Sequence, residues 1–370
     1  MSMFGSIAQS TQEDRLVITV DLNWNTSGST TFTWFDIETH NDEAWLSYRF
    51  EKVGAPDVIG SGTFTGAPIN TPIEFPSTGE YKIFFRPLLS NYSSYLNRMR
   101  PYANNVSQAE RDKLKEINNW GRYPFYYSLN RAFYFCNNLD ITATDCPLLY
   151  GSTDNATNVN ISEFFRNAVN VSNENGSLGN WDISRVNSLV STFMLAKNLS
   201  NEVALNKWYT SNVASISTTF YGCPWSGSLA SSLVTNNGRT YIAWDTSNIT
   251  TMNETFLGLN GSDSRLWGGK ITGIGNWNTS NLISMYGAFR GQSGTYSRTS
   301  SFNEDINTKE VTIAAGTPYE TTYNAWDVSK VTRFGQTANG RWYQGPFFGS
   351  AFNQPLNKWQ INTGSAVSMQ

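Results

Sequence analysis

From about residue 120 onward, apolar residues return at fixed offsets from a recurring tryptophan. The phrase reads Trp181-Asp-Ile-Ser-Arg-Val186, Trp208-Tyr-Thr-Ser-Asn-Val213, Trp244-Asp-Thr-Ser-Asn-Ile249, Trp277-Asn-Thr-Ser-Asn-Leu282 and Trp326-Asp-Val-Ser-Lys-Val331, and Trp359 opens one more. With tryptophan as zero, position +5 holds Val186, Val213, Ile249, Leu282 and Val331, and +8 holds Leu189, Ile216, Met252, Met285 and Phe334. Position +12 holds Phe193, Phe220, Phe256 and Phe289, with Ala338 breaking the pattern. Leu178, Leu205, Tyr241, Ile274, Tyr323 and Leu356 stand three residues before the tryptophans. Fixed offsets predict one stacked core column per offset, in units that bury their apolar faces only against neighbours.

Residues 14–89 have a different period. Leu16-Val-Ile-Thr-Val-Asp-Leu22 and Thr31-Phe-Thr-Trp-Phe-Asp-Ile37 alternate, and Gly79-Glu-Tyr-Lys-Ile-Phe-Phe85 follows a Pro-Ser-Thr-Gly turn. Short alternating runs between glycines and prolines predict a β-sandwich. Residues 1–13 are polar and read as a flexible arm. Residues 90–119 read as a linker and a helix over 107–118. Ser107-Gln-Ala-Glu110 has the form of a capping box, and Leu114 and Ile117 would share one face of a helix that seals the first repeat.

Within the repeats, position +3 is Ser184, Ser211, Ser247, Ser280 and Ser329, followed by Asn212, Asn248 and Asn281 at +4. A small hydroxyl followed by asparagine suits a tight corner, where both side chains can satisfy unpaired backbone groups. This column is structural rather than catalytic. Cys136 and Cys223 follow Phe133 and Phe220 at the offset that Ala168, Ala196 and Ala351 keep after Phe165, Phe193 and Phe348. They read as small buried residues in one repeated slot.

The unit Trp-Asp-Thr-Ser-Asn-Val-x-x-Met-x-x-x-Phe, with Ala351-Phe-Asn-Gln-Pro-Leu-Asn-Lys-Trp359, resembles the BspA-type leucine-rich repeat of bacterial surface proteins, which has relatives among phage and virus structural proteins. Residues 117–145 resemble the entry into such a repeat array. The domain ending in Gly79-Glu-Tyr-Lys-Ile is similar to the polycystic-kidney-disease-type sandwich. The resemblance implies a right-handed leucine-rich-repeat-type solenoid over 120–370, with a parallel sheet built from positions +5 to +8, and no enzymatic activity. The chain departs from that pattern in two ways. Successive tryptophans are 27, 36, 33, 49 and 33 residues apart, so excess chain leaves as insertions at 224–240, 260–273 and 290–322. The last unit stops before its phenylalanine.

Composition narrows the function. Net charge is −3 and only 15% of residues are charged, against the clustered positive charge that phosphate recognition needs. Nucleic acid is therefore not an expected partner. No apolar run reaches the roughly 18 residues of a membrane span, and the first ten residues lack the form of a secretory signal. His40 is the only histidine, so neither a zinc site nor a Ser-His-Asp triad is expected, and no cofactor is. Glu304 and Asp305 are the best local carboxylate pair and read as a solvated corner.

Aromatics in the insertions are the candidate binding residues: Trp225, Trp267, Tyr296, Tyr319, and Trp342 with Tyr343 after the last full phrase. Each competes with a role as a plug for the edge of the stack. The expectation is a non-enzymatic structural or adhesion protein at a virion surface, such as a fibre or decoration protein. The alternative is an adhesin at a bacterial cell surface, and a carbohydrate-active enzyme is the remote third reading. Partners would be protein subunits of the virion or envelope, a host-surface protein or glycan, or further copies of the chain.

Overall fold

A computed structural model describes residues 15–24, 28–33, 46–64, 71–87, 106–121, 124–126, 129–150, 159–257, 270–291, 302–338, 341–343 and 345–361. The arm (1–13) and His40 lie outside them. The described chain is mainly β.

Its N-terminal part is built on strands β1 (Leu16–Asp21), β2 (Thr31–Phe32), β3 (Leu46–Lys52), β4 (Ala55–Phe64), β5 (Ile73–Glu74) and β6 (Glu80–Pro87). Helix α1 (Gln108–Arg111), strand β7 (Leu114–Asn119), strand β8 (Pro124–Tyr126) and strand β9 (Asp140–Ile141) follow. A six-stranded sheet runs in the order β4-β3-β6-β1-β7-β9, and β2 and β5 form a separate antiparallel pair. Ile18 sits at its centre, opposite Ile83 of β6 and Ile117 of β7, and all three are fully buried.

The helix expected over 107–118 is a single turn. Ser107 caps it as the sequence suggests, its Oγ accepting the Glu110 N–H at 3.2 Å. Glu110 does not reach back to the cap. Its carboxylate accepts the Thr33 N–H at 2.8 Å and pairs with the buried Lys113 ammonium, tying the turn to β2. Residues 114–119 are a strand. Leu114 and Ile117 are three apart, as on a helix face, but the pairing with β1 slips between Thr19 and Val20. An extra residue in one strand reverses the alternation beyond it, so two residues three apart can face one side of a sheet.

Strand β7 is also where the sheet changes direction. It is antiparallel to β1 and parallel to β9, with Ile117 opposite Ile141. Parallel pairing then continues through the repeats. Strand β10 (Leu148–Tyr150) lies against β8, and β11 (Val159–Asn160) against β12 (Val186–Ser188). Single parallel bridges link Ser188 to Ser215, Ser215 to Thr251, Thr251 to Ser284 and Ser284 to Arg333, all at position +7.

A second ladder runs from +8 to +14. The N–H groups of Leu189, Ser191, Phe193 and Leu195 donate to the carbonyls of Ser215, Ser217, Thr219 and Tyr221 in the next unit. The residues between them close turns within their own unit, as Thr192 N–H does to Leu189 O. Alternating partners in this way gives every N–H from Leu189 to Ala196 an acceptor. It also places Ser191, Leu195, Thr218 and Glu254 at φ between 51° and 59°, a cost that each unit's pairing offsets.

The side chains stack as columns. Phe133, Phe165, Phe193, Phe220, Phe256 and Phe289 lie with successive ring centroids 5.6–6.0 Å apart. Trp244, Trp277, Trp326 and Trp359 stack at 5.8–6.5 Å. One continuous core reaches from Leu16 to Phe334.

Cys136, Ala168, Ala196 and Cys223 are all buried, and each donates its N–H to the phenylalanine three residues earlier. Burial pushes the Cys136 thiol above its ordinary range and the Cys223 thiol up to about 12. The last unit differs. Strands β19 (Gln336–Ala338) and β20 (Arg341–Tyr343) form a hairpin where Ala338 stands. Phe347, not Phe348, completes the column, stacked on Phe289 at 5.6 Å. Ala351 is exposed, and Ser350 donates to the Phe347 carbonyl instead.

Candidate ligand cleft beneath the first hairpin

From Trp208 onward the indole N–H of each repeat tryptophan reaches back to the preceding unit, and its acceptor marks the core seat that leads into that unit's tryptophan. Trp208 donates to Leu178 O, Trp244 to Leu205 O, Trp277 to Leu229 O, Trp326 to Ile274 O and Trp359 to Ile306 O, all at 2.7–2.9 Å. The seats in the Trp244 and Trp326 units are therefore Leu229 and Ile306, not Tyr241 and Tyr323. Between each seat and its tryptophan the chain leaves as a hairpin.

These hairpins are strands β14 (Ser232–Asn236) with β15 (Arg239–Ala243), and β17 (Lys309–Ile313) with β18 (Thr321–Ala325). Two short strands, β13 (Gly227–Ser228) and β16 (Ile271–Thr272), pair in parallel beside the first hairpin. Where the chain re-enters, Trp244 and Trp326 take φ of 47° and 51°. Ser231 Oγ and Thr308 Oγ1 latch the two re-entry points by donating to Trp244 O and Trp326 O. Tyr241 and Tyr323 each donate a 2.6 Å hydrogen bond to the residue before the preceding tryptophan, Lys207 O and Asn276 O. Both phenols are raised chiefly by burial, Tyr323 to about 12.

The first hairpin turns through Asn237-Gly238, with φ of 49° and 75°, the two left-handed residues of a tight hairpin turn. It folds back across the Trp208 unit to the Trp181 unit. Asn237 Nδ2 donates to Asn180 O at 3.1 Å, and Arg239 pairs with Asp182 at 3.0 Å. A shallow cleft opens beneath it, about 310 Å³ with the part open to solvent included. It is lined by Asn180, Trp181, Asp182, Ile183, Tyr209, Asn236, Asn237, Arg239 and Tyr241. The rings of Tyr209 and Tyr241 lie 5.1 Å apart and tilted at 53°.

Sequence reasoning missed this constellation, although one signal was present. Position +1 is Asp182, Tyr209, Asp245, Asn278 and Asp327. The four Asp or Asn side chains accept the N–H of the +3 serine at 2.9–3.1 Å. Tyrosine has no carbonyl or carboxylate to close that turn. A position that breaks its own repeat's local rule is where function is expected.

The same contacts refine the corner column. The bonds come from the +1 side chain and from the +4 asparagines, which donate to the +3 carbonyl of the preceding unit: Asn212 to Ser184 O, Asn248 to Ser211 O and Asn281 to Ser247 O. The serines contribute their backbone. Thr210, Thr246 and Thr279, buried at +2, donate to the +1 carbonyl of the following unit.

Of the aromatics singled out in the sequence, Trp225 is 2% exposed, stacked on Phe220 and bonded to Val203 O, so it is a core residue. Tyr319 is 43% exposed in the turn between β17 and β18. Trp342 and Tyr343 lie on β20, and Trp267 and Tyr296 fall outside the described residues. Glu304 accepts the N–H groups of Gly273 and Gly275, and Asp305 pairs with Lys309, which holds its carboxyl below the usual range. They bind separate partners and do not face one another across a cleft. No group of three or more His, Cys, Asp or Glu is placed to hold a metal among the described residues. No helix among them is long and apolar enough to cross a membrane.

A mainly β chain whose larger part is a stack of cross-bonded repeats is the class these observations define. Residues 128–237 and 228–370 match the family described as Mycoplasma protein of unknown function, DUF285, and the chain belongs to that family. The two matches overlap at 228–237, from the end of β13 into the turn of the first hairpin. No curated protein and no solved structure matches the chain.

Proposed function

We propose that this chain is a non-enzymatic binding protein displayed at a surface. On this reading its repeat half is a leucine-rich-repeat-type solenoid of the BspA kind, and its N-terminal sheet with the β2–β5 pair is a small sandwich. The observation that carries the proposal is the division of labour in the repeats. Backbone groups and core columns are spent on neighbouring units, while the hairpins add exposed polar and aromatic side chains along the flank. Such a surface suits recognition of an extended or repeated partner.

Two settings accommodate it: a virion, as a fibre or decoration protein, and a bacterial cell surface, as an adhesin. The family is described from Mycoplasma, a cellular organism rather than a virus, which fits the second setting. Antibody labelling of intact cells and of purified particles from the same source separates the two. Labelling of intact cells, removed by external protease, supports the adhesin. Labelling confined to particles supports the virion protein, and labelling only after lysis of both would end the display reading.

A further inference from the structure

We propose that the cleft beneath the first hairpin binds a neutral sugar ring, an inference that rests on the display reading above. The chain's own repetition provides the control. The two flank hairpins share Tyr-x-Ala-Trp, the hydroxyl latch onto the tryptophan carbonyl and the buried tyrosine bond to the preceding unit. Whatever both share is needed to bring a hairpin out of the stack and back. What only the first possesses is free to serve a ligand.

Among the cleft residues that differ between them, two are the most informative. Tyr209 stands where the equivalent unit has Asn278, and Arg239 where the second hairpin has Thr321. Tyr209 gives up the turn-closing bond that Asn278 keeps and sets its ring against Tyr241. Arg239 forms an ion pair with Asp182 in which both side chains are more than half exposed. An exposed pair of this kind adds little to stability, so the fold does not account for it.

The chemistry of the cleft selects the ligand class. Half-buried tyrosine rings offer faces for the C–H side of a pyranose. The Asp182 carboxylate is oriented by Ser184 N–H on one oxygen and Arg239 on the other, so acceptors and donors sit side by side for adjacent hydroxyls. Because the two charges cancel, an anionic ligand would have to break the pair, and a neutral one would not. The cleft is shallow and open to solvent, so it would meet one face of a ring rather than enclose a large apolar molecule.

The test is an array of neutral, sialylated and sulfated oligosaccharides probed with the full chain, followed by calorimetric titration with the methyl glycoside of the best terminal hexose. Retention of neutral hexose-terminated glycans is expected. Tyr209→Asn and Arg239→Thr, which install the second unit's own residues, are each expected to weaken binding about ten-fold or more. Their unfolding temperatures should stay within a few degrees of the parent, which makes the loss a binding loss. Tyr323→Phe should leave affinity unchanged. Retention of no neutral glycan, preference for the anionic glycans, or full affinity in both variants would overturn the inference. Sugar binding by a chain that labelling finds only inside cells would remove the display reading and leave the cleft assignment standing.

Discussion

The N-terminal sheet and the repeat stack bury similar residues by different rules. In the sheet, what matters is the strand across the ladder: Ile18 meets Ile83 and Ile117 because antiparallel register puts them opposite one another. In the stack, what matters is the same offset one unit away, as Phe193 meets Phe220 and Phe220 meets Phe256. Sheet positions are specified by pairs and stack positions by columns. Strand β7 obeys both rules at once, antiparallel to β1 and parallel to β9. The two parts should therefore not unfold independently, although their sequence periods differ.

The hardest blow to the column rule is Phe220→Ala, in the middle of its stack. It removes contacts to rings on both sides and to Trp225 and should destabilise by about 3–5 kcal/mol. Denaturant titration measures this; a loss below 1 kcal/mol would mean that the column is not cooperative.

Next is Ile117→Ala, in the strand that both rules share, with an expected loss of about 2–5 kcal/mol. Native-state hydrogen exchange reads its distribution. Amides of β6 and of the +8 to +14 ladder should lose protection together. Intact protection in β6 with lost protection in the ladder would separate the two regions.

Trp326→Phe keeps an aromatic ring in the column but leaves Ile274 O without its buried donor, at a cost of about 1–3 kcal/mol. Asn248→Ala removes a bond to Ser211 O at an exposed corner and should cost about 0.5–1.5 kcal/mol.

Alkaline pH probes the buried slot. Cys223 and Tyr323 have folded-state values raised to about 12. The unfolded thiol and phenol ionise near about 8.5 and about 10. A raised value favours the neutral form in the folded state. The stability they contribute is thus complete below the unfolded values and lost as pH rises toward 12. Melting temperature should fall over that window, and Cys223→Ala should make the fall shallower.

Much of the architecture was legible. The columns at +5, +8 and +12, the Cys136 and Cys223 slot and the Ser107 cap follow from residue type and spacing, and they appear at those positions. What was misread shares one cause. Residues 114–119 carry helical spacing that a bulge against β1 turns into strand. Tyr241 and Tyr323 sit at the right distance before a tryptophan but belong to hairpins, and Phe348 is one residue from the ring that completes the column. The cleft went unseen because Tyr209, Arg239 and Asp182 come from three segments up to 57 residues apart.

Sequence alone thus determined which side chain types recur and that each recurrence must stack on the last, because apolar surface at a constant offset can be buried in no other way in a chain of repeats. Tertiary structure decided where the chain leaves and rejoins each unit. That choice depends on hydrogen bonds between groups 30 to 53 residues apart, such as Trp208 to Leu178 and Trp359 to Ile306, whose partner is a backbone carbonyl that any residue could supply.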